Sequence, residues 1–171
     1  MVPAAPHYDP PMRVVLQRVR WATVDVDGER IAAIGPGLLA LVGVAAGDGP
    51  EDARRLARKT ARLRILAGGE RPFDLALADV PGAELLCVSQ FTLLADVRRG
   101  NRPSWAAAAP PEVAAPLVEA YAAAVEAEGV PVSRGRFAAT MAVGLENDGP
   151  VTIVLDSAEL AGPRRPAAAG E

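Results

Sequence analysis

The sequence ELLCVSQFTL, residues 84–93, is an apolar run that ends abruptly in small polar side chains. Its composition is typical of a buried strand. Strand alternation would place Ser89 and Phe91 on one face, and Gln90 and Thr92 would then lie on the opposite face. Taken alone, these residues allow two interpretations. The strand either ends in a turn whose hydroxyls bind local backbone, or it delivers polar groups to a functional site.

A second stretch, NDGPVT at residues 147–152, lies between two apolar segments. A turn followed by a strand is its simplest interpretation. Together, however, residues 89–93 and 147–152 resemble the two signature motifs of the D-aminoacyl-tRNA deacylases, the enzymes that remove D-amino acids from tRNA. The motifs occur in the right order, which makes the resemblance specific.

The resemblance is continuous from about residue 12 to about residue 157. It includes four further short segments, at residues 17–19, 35–39, 99–104 and 135–137. The sequence departs from the family at Ala138 and Gly144, where other members often carry Gly and Ser. The segment at residues 67–74 is shorter than is usual in the family and lacks the usual lysine-containing loop. These departures concern the rim of the implied site.

The chain has the size and composition of one globular domain, with 171 residues, of which 50% are hydrophobic and 23% charged. We expect residues 12–157 to form this domain. Residues 1–11 predict a disordered leader rich in Pro and Ala, and residues 158–171 predict a flexible tail. No segment approaches the roughly 18 apolar residues of a membrane span, and the N-terminus lacks a secretion signal. We therefore expect a soluble, cytoplasmic protein that does not bind a membrane.

The order of the predicted elements indicates an α+β fold. Residues 27–28 predict a hairpin turn, and residues 38–44 predict a central strand that is covered on both faces. Amphipathic spacing predicts one helix that runs to about Leu66 and a second over residues 110–128, where Pro116 is tolerable only in the first turn. The predicted fold is a single domain with a curled, barrel-like mixed β-sheet and two main helices. The family resemblance implies the same fold.

A net charge of −3 and a sequence pI of about 5.3 match a nucleic-acid binder poorly. The basic residues are nevertheless clustered, so that local patches can meet the end of a tRNA. The alternative is a solvated helix face and a solvated loop. The first cluster comprises Arg54, Arg55, Arg58, Lys59, Arg62 and Arg64, and the second comprises Arg98, Arg99 and Arg102. The second cluster belongs to a predicted long surface loop, residues 95–109, which also contains Trp105.

The residue types limit the chemistry. The chain has one histidine, His7, and one cysteine, Cys87, so we expect no metal site, no disulfide and no cofactor. Because His7 lies in the leader, neither Ser89 nor Thr92 has a histidine base to activate it. An aminoacyl-tRNA ester is already activated, and its ribose 2′-hydroxyl can assist hydrolysis while the protein positions the ester. The resemblance implies this RNA-assisted mechanism.

Carried over position by position, the resemblance implies four catalytic residues, Ser89, Gln90, Phe91 and Thr92. They would surround the terminal adenosine and the ester. The backbone amides of Phe91 and Thr92 are the implied oxyanion donors.

The resemblance also implies a group of residues for substrate binding and chiral selection. Gly149 and Pro150 match the family's Gly-Pro pair, a cis peptide whose carbonyls enter the partner's pocket and screen the α-carbon of the substrate. Arg18 matches a residue that braces this pair, and Met141 would line the pocket beside it. The implied partners are therefore the 3′ end of aminoacyl-tRNA and a second copy of the chain in a homodimer.

The implied function is hydrolysis of the ester of D-aminoacyl-tRNA, and of glycine mischarged on tRNA, as chiral proofreading in translation. Two other functions stay open. One is a different acyl-ester or amide hydrolase that uses Thr92 or Ser89 as its nucleophile. The other is a non-catalytic RNA-binding dimer that uses the arginine clusters.

Overall fold

The computed structural model describes residues 11–98 and 100–162. The strands are β1 (Arg13–Val26), β2 (Glu29–Ile34), β3 (Gly37–Gly43), β4 (Arg64–Gly68), β5 (Arg71–Ala76), β6 (Glu84–Ser89), β7 (Val132–Arg134) and β8 (Met141–Asp156). The α-helices are α1 (Pro50–Arg62), α2 (Pro111–Glu126) and α3 (Ser157–Ala161), and short 3₁₀ turns occur at Leu77–Asp79 and Phe91–Leu94. His7, most of the predicted leader, Arg99 and the end of the predicted tail lie outside the described residues.

Strand β1 organises the sheet. It pairs with β8 over almost its whole length, with β3 along its first half and with β2 along its second half, always antiparallel. Strands β3, β6 and β7 then follow in parallel. The resulting six-stranded mixed sheet curls into a nearly closed barrel, beside which β4 and β5 form a separate two-stranded sheet. The predicted single-domain α+β fold with a barrel-like mixed sheet is confirmed.

Two local predictions are also confirmed. Asp27 and Gly28 have φ angles of 53° and 80° and join β1 to β2, which is the turn that an Asp-Gly hairpin requires. Strand β3 lies between β1 and β6 and is buried on both faces. Leu38 packs in the core beneath the helices, whereas its neighbour Leu39 packs in the second core on the opposite face of the sheet.

Helix α1 ends earlier than predicted. The expected end was about Leu66, but Leu63 already has the extended φ and ψ angles of −70° and 124°, and β4 begins at Arg64. Gly68 and Gly69 lie in the hairpin that joins β4 to β5 and do not cap a helix. The prediction failed because Leu66 is buried in the strand, so its apolar character fits either structure.

The other helices differ from expectation in smaller ways. Pro116 is the sixth residue of α2 and lies in the second turn, not the first. It removes one hydrogen bond, that to the Glu112 carbonyl, close to the helix N-terminus. Helix α3 occupies the beginning of the segment predicted as a flexible tail, and the Asp156 side chain caps it by accepting hydrogen bonds from the amides of Ala158 and Glu159. No helix in residues 11–98 and 100–162 is long and apolar enough to cross a membrane.

Helices α1 and α2 cover one face of the sheet, and their contact includes a buried polar pair. Thr60 of α1 and Tyr121 of α2 have no solvent exposure, and their hydroxyl oxygens lie 2.8 Å apart. Each hydroxyl satisfies the other in a core that excludes water. The pair therefore fixes how the two helices align across the sheet.

We predict that Tyr121→Phe lowers the free energy of unfolding by about 1–2 kcal/mol, because it leaves the buried Thr60 hydroxyl without a partner. The double variant Thr60→Val, Tyr121→Phe should recover part of this loss, since both polar groups are then gone. Urea denaturation of the four proteins in this cycle measures the coupling. Strictly additive losses would show that the hydroxyls do not stabilise each other.

Candidate active site

A cavity of about 650 Å³ opens where β6 ends. Its walls come from β3, the end of β6, the residues before and within the start of α2, and the segment that joins β7 to β8. The apolar lining residues are Val42, Val44, Val88, Phe91, Trp105, Ala108, Ala109, Pro111, Ala114, Val118, Phe137, Ala138, Ala139, Met141 and Val143, and the polar ones are Ser89, Gln90 and Thr140. A concave apolar pocket with a few polar groups at one end is typical of a small-ligand site.

The parallel pairing of β3 and β6 brings Ser89 and Gln90 to this cavity. The Gln90 amide donates to the Val42 carbonyl at 2.7 Å, which extends the ladder just beyond Ser89. The chain then leaves the strand, with φ and ψ of −146° and 81° at Gln90, and enters the 3₁₀ turn. Gly43 permits this exit, since a Cβ there would lie 2.5 Å from the Leu94 side chain and 2.9 Å from the Gln90 carbonyl oxygen.

The amides of Phe91 and Thr92 begin the 3₁₀ turn. The first hydrogen bond within this segment is from the Leu93 amide to the Gln90 carbonyl, at 3.2 Å. Within residues 11–98 and 100–162, the backbone amides of Phe91 and Thr92 have no hydrogen-bond acceptor, as is usual for the first amides of a helical turn. These two donors are therefore available to bind an oxygen that carries developing negative charge.

The side chains around these amides form a polar rim. The Gln90 side-chain amide donates to the Thr92 hydroxyl. Ser89 and Gln90 line the cavity, whereas Thr92 is exposed just outside its lining. The resemblance therefore groups four residues that the structure does bring together, although Thr92 stands further from the cavity than the other three.

Two exposed aromatic rings flank the mouth of the cavity. Phe91 is 55% exposed and Trp105 is 40% exposed. Their ring centroids are 5.3 Å apart at an interplanar angle of 75°, an edge-to-face contact. Trp105 belongs to the long loop predicted at residues 95–109.

Ala138, between β7 and β8, and Met141, the first residue of β8, line the same wall of the cavity. Met141 lines the cavity, and Gly135 makes room for it, because a Cβ at Gly135 would lie 2.7 Å from the Met141 sulfur. Ala138 has a φ of 61°, in the left-handed region that favours glycine. The family resemblance implies glycine at this position, and the positive φ of Ala138 is a physical reason for it.

Gly149 and Pro150 lie away from the cavity of their own chain. They belong to an excursion of β8, residues 148–151, in which the strand leaves the ladder with β1. Asn147 pairs with Val19 of β1, and the next pair is Thr152 with Gln17. The four residues between them therefore face the single residue Arg18. Gly149 and Pro150 are both exposed at this excursion.

The predicted cis peptide between Gly149 and Pro150 is wrong, because the bond is trans. Gly149 has a φ of 112°, so glycine's conformational freedom turns the chain without a cis bond. The trans isomer is also intrinsically favoured by about 0.5–1 kcal/mol before proline.

Arg18 braces the excursion from beneath. It is 9% exposed, and its Nε donates to the Asp148 carbonyl at 3.1 Å and contacts the Asp148 carboxylate at 3.1 Å. Its Nη1 donates to the carbonyls of Ile65 and Pro72, both at 2.8 Å. The Asn147 side chain donates to the Arg18 carbonyl at 2.8 Å. One buried side chain thus ties the excursion to both strands of the β4–β5 hairpin.

Cys87 is buried beside the site but is chemically protected. Burial raises the pKa of its thiol to about 12, so the reactive thiolate is scarce at neutral pH. The interpretation of Cys87 as a small buried hydrophobic residue is confirmed. Across the described parts of the chain, no group of three or more His, Cys, Asp or Glu side chains is placed to hold a metal ion.

Neighbouring carboxylates pair with most of the first arginine cluster and with Arg98 of the second. In the first cluster, Arg54 and Arg58 both bind Glu51, and the other pairs are Arg55 with Asp52, Arg62 with Glu128 and Arg64 with Asp74. In the second cluster, Arg98 binds Asp96 at 2.7 Å. These pairs favour the interpretation of a solvated helix face for α1.

Sequence reasoning did not anticipate two walls of the cavity. Val42 and Val44 were assigned to a buried strand, and Ala114 and Val118 belong to a helix whose apolar stripe was expected to face the core. Their apolar character gives no sign that they face a cavity, because a cavity wall and a core have the same composition. Only the pairing of strands and the position of α2 distinguish them.

Comparison with known proteins identifies the relatives of this fold and site. Residues 15–156 match the family model described as D-Tyr-tRNA(Tyr) deacylase. A D-aminoacyl-tRNA deacylase of Chloroflexus aurantiacus is 59% identical over 154 residues, which cover 90% of this chain and 96% of that protein.

Two solved structures share the fold. A c-Myc DNA unwinding element binding protein is 35% identical with a TM-score of 0.77, and the match covers 84% of this chain and 97% of the other. A probable eukaryotic D-amino acid tRNA deacylase is 18% identical with a TM-score of 0.75, and the match covers 85% and 98% of the two chains.

We predict that Ala138→Gly raises the free energy of unfolding by about 1 kcal/mol, because alanine is strained at positive φ. Ala139→Gly is the matched control: it lines the same cavity without a positive φ, and it should lower the free energy of unfolding by about 0.4–1 kcal/mol. Thermal or urea unfolding measures both. A loss of stability in both variants would contradict the assigned strain.

Proposed function

We propose a mechanism and a set of site residues from the premise that this chain belongs to the D-Tyr-tRNA(Tyr) deacylase family. Membership confirms the resemblance found in the two motifs, and it decides among the three functions that the residues left open. The chain is a D-aminoacyl-tRNA deacylase, a hydrolase that acts on the ester bond between a D-amino acid and tRNA.

The observation that carries the mechanism is the pair of free amides at Phe91 and Thr92. We assign them to the oxyanion that forms on the ester carbonyl oxygen. Water attacks the carbonyl carbon, the bond to the ribose 3′-oxygen breaks, and the products are the free D-amino acid and tRNA with its 3′-hydroxyl restored. Fixed donors favour this step because they need no reorganisation when the charge develops.

The proton transfers are assigned to the substrate. The histidine of this chain is His7, in the predicted leader, and we give it no part in the reaction. The 2′-hydroxyl of the terminal ribose lies next to the ester and is the group placed to orient the water and relay a proton to the 3′-oxygen. Ser89, Gln90 and Thr92 then position the adenosine and the ester. The hydrogen bond from Gln90 to Thr92 supports this assignment, because it engages the Thr92 oxygen that a nucleophile would need.

Chiral selection is assigned to the neighbouring copy of the chain. Gly149 and Pro150 are exposed and do not line their own cavity, so they are available to enter the cavity of a partner. Phe73 of β5 is 57% exposed, and the centroid of its ring lies 5.8 Å from the guanidinium carbon of Arg18, beside the same excursion. Exposed aromatic surface favours a contact there. A pocket that receives this excursion from a partner, and gives its own in return, requires a two-fold homodimer.

We propose that a wall of backbone selects D over L substrates by shape. The peptide of Gly149 and Pro150 would stand close to the substrate's α-carbon, so an L side chain collides with it and a D side chain does not. Glycine has no side chain to reject, and we therefore include glycine mischarged on tRNA among the substrates. We place the activity in the cytoplasm, with the 3′ end of aminoacyl-tRNA as the partner that enters the cavity.

We predict that removing the substrate 2′-hydroxyl lowers the rate far more than removing a protein hydroxyl. Single-turnover hydrolysis should fall by about 10²-fold or more on D-tyrosyl-tRNA with a 2′-deoxy terminal adenosine, in line with the loss of a general acid or base. Thr92→Ala and Ser89→Ala should each keep substantial activity. Full activity on the 2′-deoxy substrate, or an acyl-enzyme trapped at Thr92, would contradict the mechanism.

We also predict that two impaired variants complement each other in a mixed dimer. Phe91→Pro removes an amide donor and should lower kcat by about 10²–10³-fold. Gln90 lies outside the α region that a following proline excludes. Gly149→Ala should lower activity because the new Cβ meets the Arg18 guanidinium and the φ of 112° disfavours alanine. Each chain of the mixed dimer then supplies the part that the other lacks.

Co-expression of the two variants with different affinity tags isolates the mixed dimer. It contains one intact site and one doubly altered site, so it should show about half of the wild-type activity. Phe91→Ala is the matched control, since it keeps the amide and should keep kcat. A mixed dimer as inactive as its parents, or a fully active monomer, would refute the shared site.

A further inference from the structure

We propose that Trp105 is a substrate-positioning residue whose indole stacks on the adenine of the terminal adenosine. The inference rests on the proposed function, and it adds to it the group that holds the base. Neither signature motif contains Trp105, and the mechanism above gives it no role. Its position at the mouth of the cavity, in contact with a ring of the oxyanion segment, is what points to substrate.

The geometry leaves aromatic surface open at this mouth. In an edge-to-face pair, the edge of one ring covers only one face of the other. The Phe91–Trp105 pair, at 5.3 Å and 75°, therefore leaves the remaining ring faces to other contacts. Trp105 is 40% exposed and also lines the cavity, so it contacts both the interior and the solvent. Two adjacent exposed rings beside a concave pocket form an apolar patch of the kind that marks ligand-binding sites.

The backbone on both sides of Trp105 is fixed, which a platform for a base requires. Before it, Ser104 and Asp96 exchange two backbone hydrogen bonds, at 2.8 and 2.9 Å. After it, the Ala109 amide donates to the Val44 carbonyl at 2.9 Å, and the Ala46 amide donates to the Ala107 carbonyl at 3.1 Å. The loop is thus pinned to itself and to the end of β3, beside the strand exit that presents the amides of Phe91 and Thr92.

The chemistry of the occupant follows from this placement. In the proposed mechanism the ester lies at the amides of Phe91 and Thr92, and the base attached to the same ribose is then the flat group that every aminoacyl-tRNA substrate brings to this mouth, whichever amino acid it carries. Every nucleobase has a π-face that stacks on an aromatic side chain. Adenine is the base of the terminal nucleotide, so it is the base that reaches Trp105.

Steady-state kinetics on D-tyrosyl-tRNA test the role. Trp105→Ala should raise KM about tenfold, within the range expected for the loss of one base–aromatic stack, and leave kcat within about twofold. Trp105→Phe should restore most of the affinity. Trp105→Leu keeps an apolar side chain without a π-face and serves if the alanine variant does not fold. An unchanged KM, or a fall in kcat alone, would overturn the proposal in favour of a packing role for Trp105.

Fluorescence provides a readout that does not depend on hydrolysis. The chain has two tryptophans, so Trp21→Phe leaves Trp105 as the only indole emitter. Adenosine 5′-monophosphate should quench its emission saturably. The reciprocal variant Trp105→Phe, which retains Trp21, should not respond. Quenching by cytidine 5′-monophosphate but not by the adenine nucleotide would assign the platform to the penultimate base and refute the proposal.

The two measurements separate this inference from the proposed function. If the wild-type protein failed to hydrolyse D-tyrosyl-tRNA that carries its natural 2′-hydroxyl, quenching of Trp105 by the adenine nucleotide would still support the stacking site. If hydrolysis proceeded as proposed but neither KM nor fluorescence responded, the stacking site alone would be refuted.

Discussion

The pairing of β1 with β8 is the constraint on which the rest of the structure depends. Strand β1 has 14 residues, and every part of it must find partners on both edges. Strand β8 occupies one edge from end to end, while β3 and β2 divide the other. This division curls the sheet, because β3 pairs with the first half of β1 and β2 with the second half. It also places the start of β8, with Met141, and its end, with Asp156, beside opposite ends of β1.

The same pairing contains the excursion in which four residues of β8 leave the ladder with β1. Arg18 faces the excursion and compensates for the lost ladder bonds with contacts to the carbonyls of Asp148, Ile65 and Pro72. A buried guanidinium with this many acceptors is well satisfied, and replacing it would leave several carbonyls without donors. The exposed Gly149 and Pro150 are therefore held by a side chain in the interior. An exposed element with a buried brace keeps its shape without a partner.

Much of the fold was predictable because its signals are local. The turn at Asp27 and Gly28 and the two-sided apolar strand β3 each depend on a short run of residues. The end of α1 was not predictable, since Leu66 fits a helix and a strand equally well and only β5 decides between them. The prediction of a cis peptide bond before Pro150 failed for a different reason. It carried a family pattern over to a peptide bond whose conformation depends on Gly149 and Arg18.

The candidate site was predictable only in part, because the chemistry we propose for it is carried by backbone amides. Sequence motifs located Ser89, Gln90, Phe91 and Thr92, but nothing in a sequence shows that two amides lack acceptors. That property arises from the exit of β6 after the bond to Val42 and from the close approach that Gly43 permits. A site of this kind keeps its donors when side chains change, as long as the strand ends at the same residue. The apolar walls, in contrast, have to be read from the packing of α2 and β3, where a residue such as Val118 contacts a cavity on one side and the core on the other.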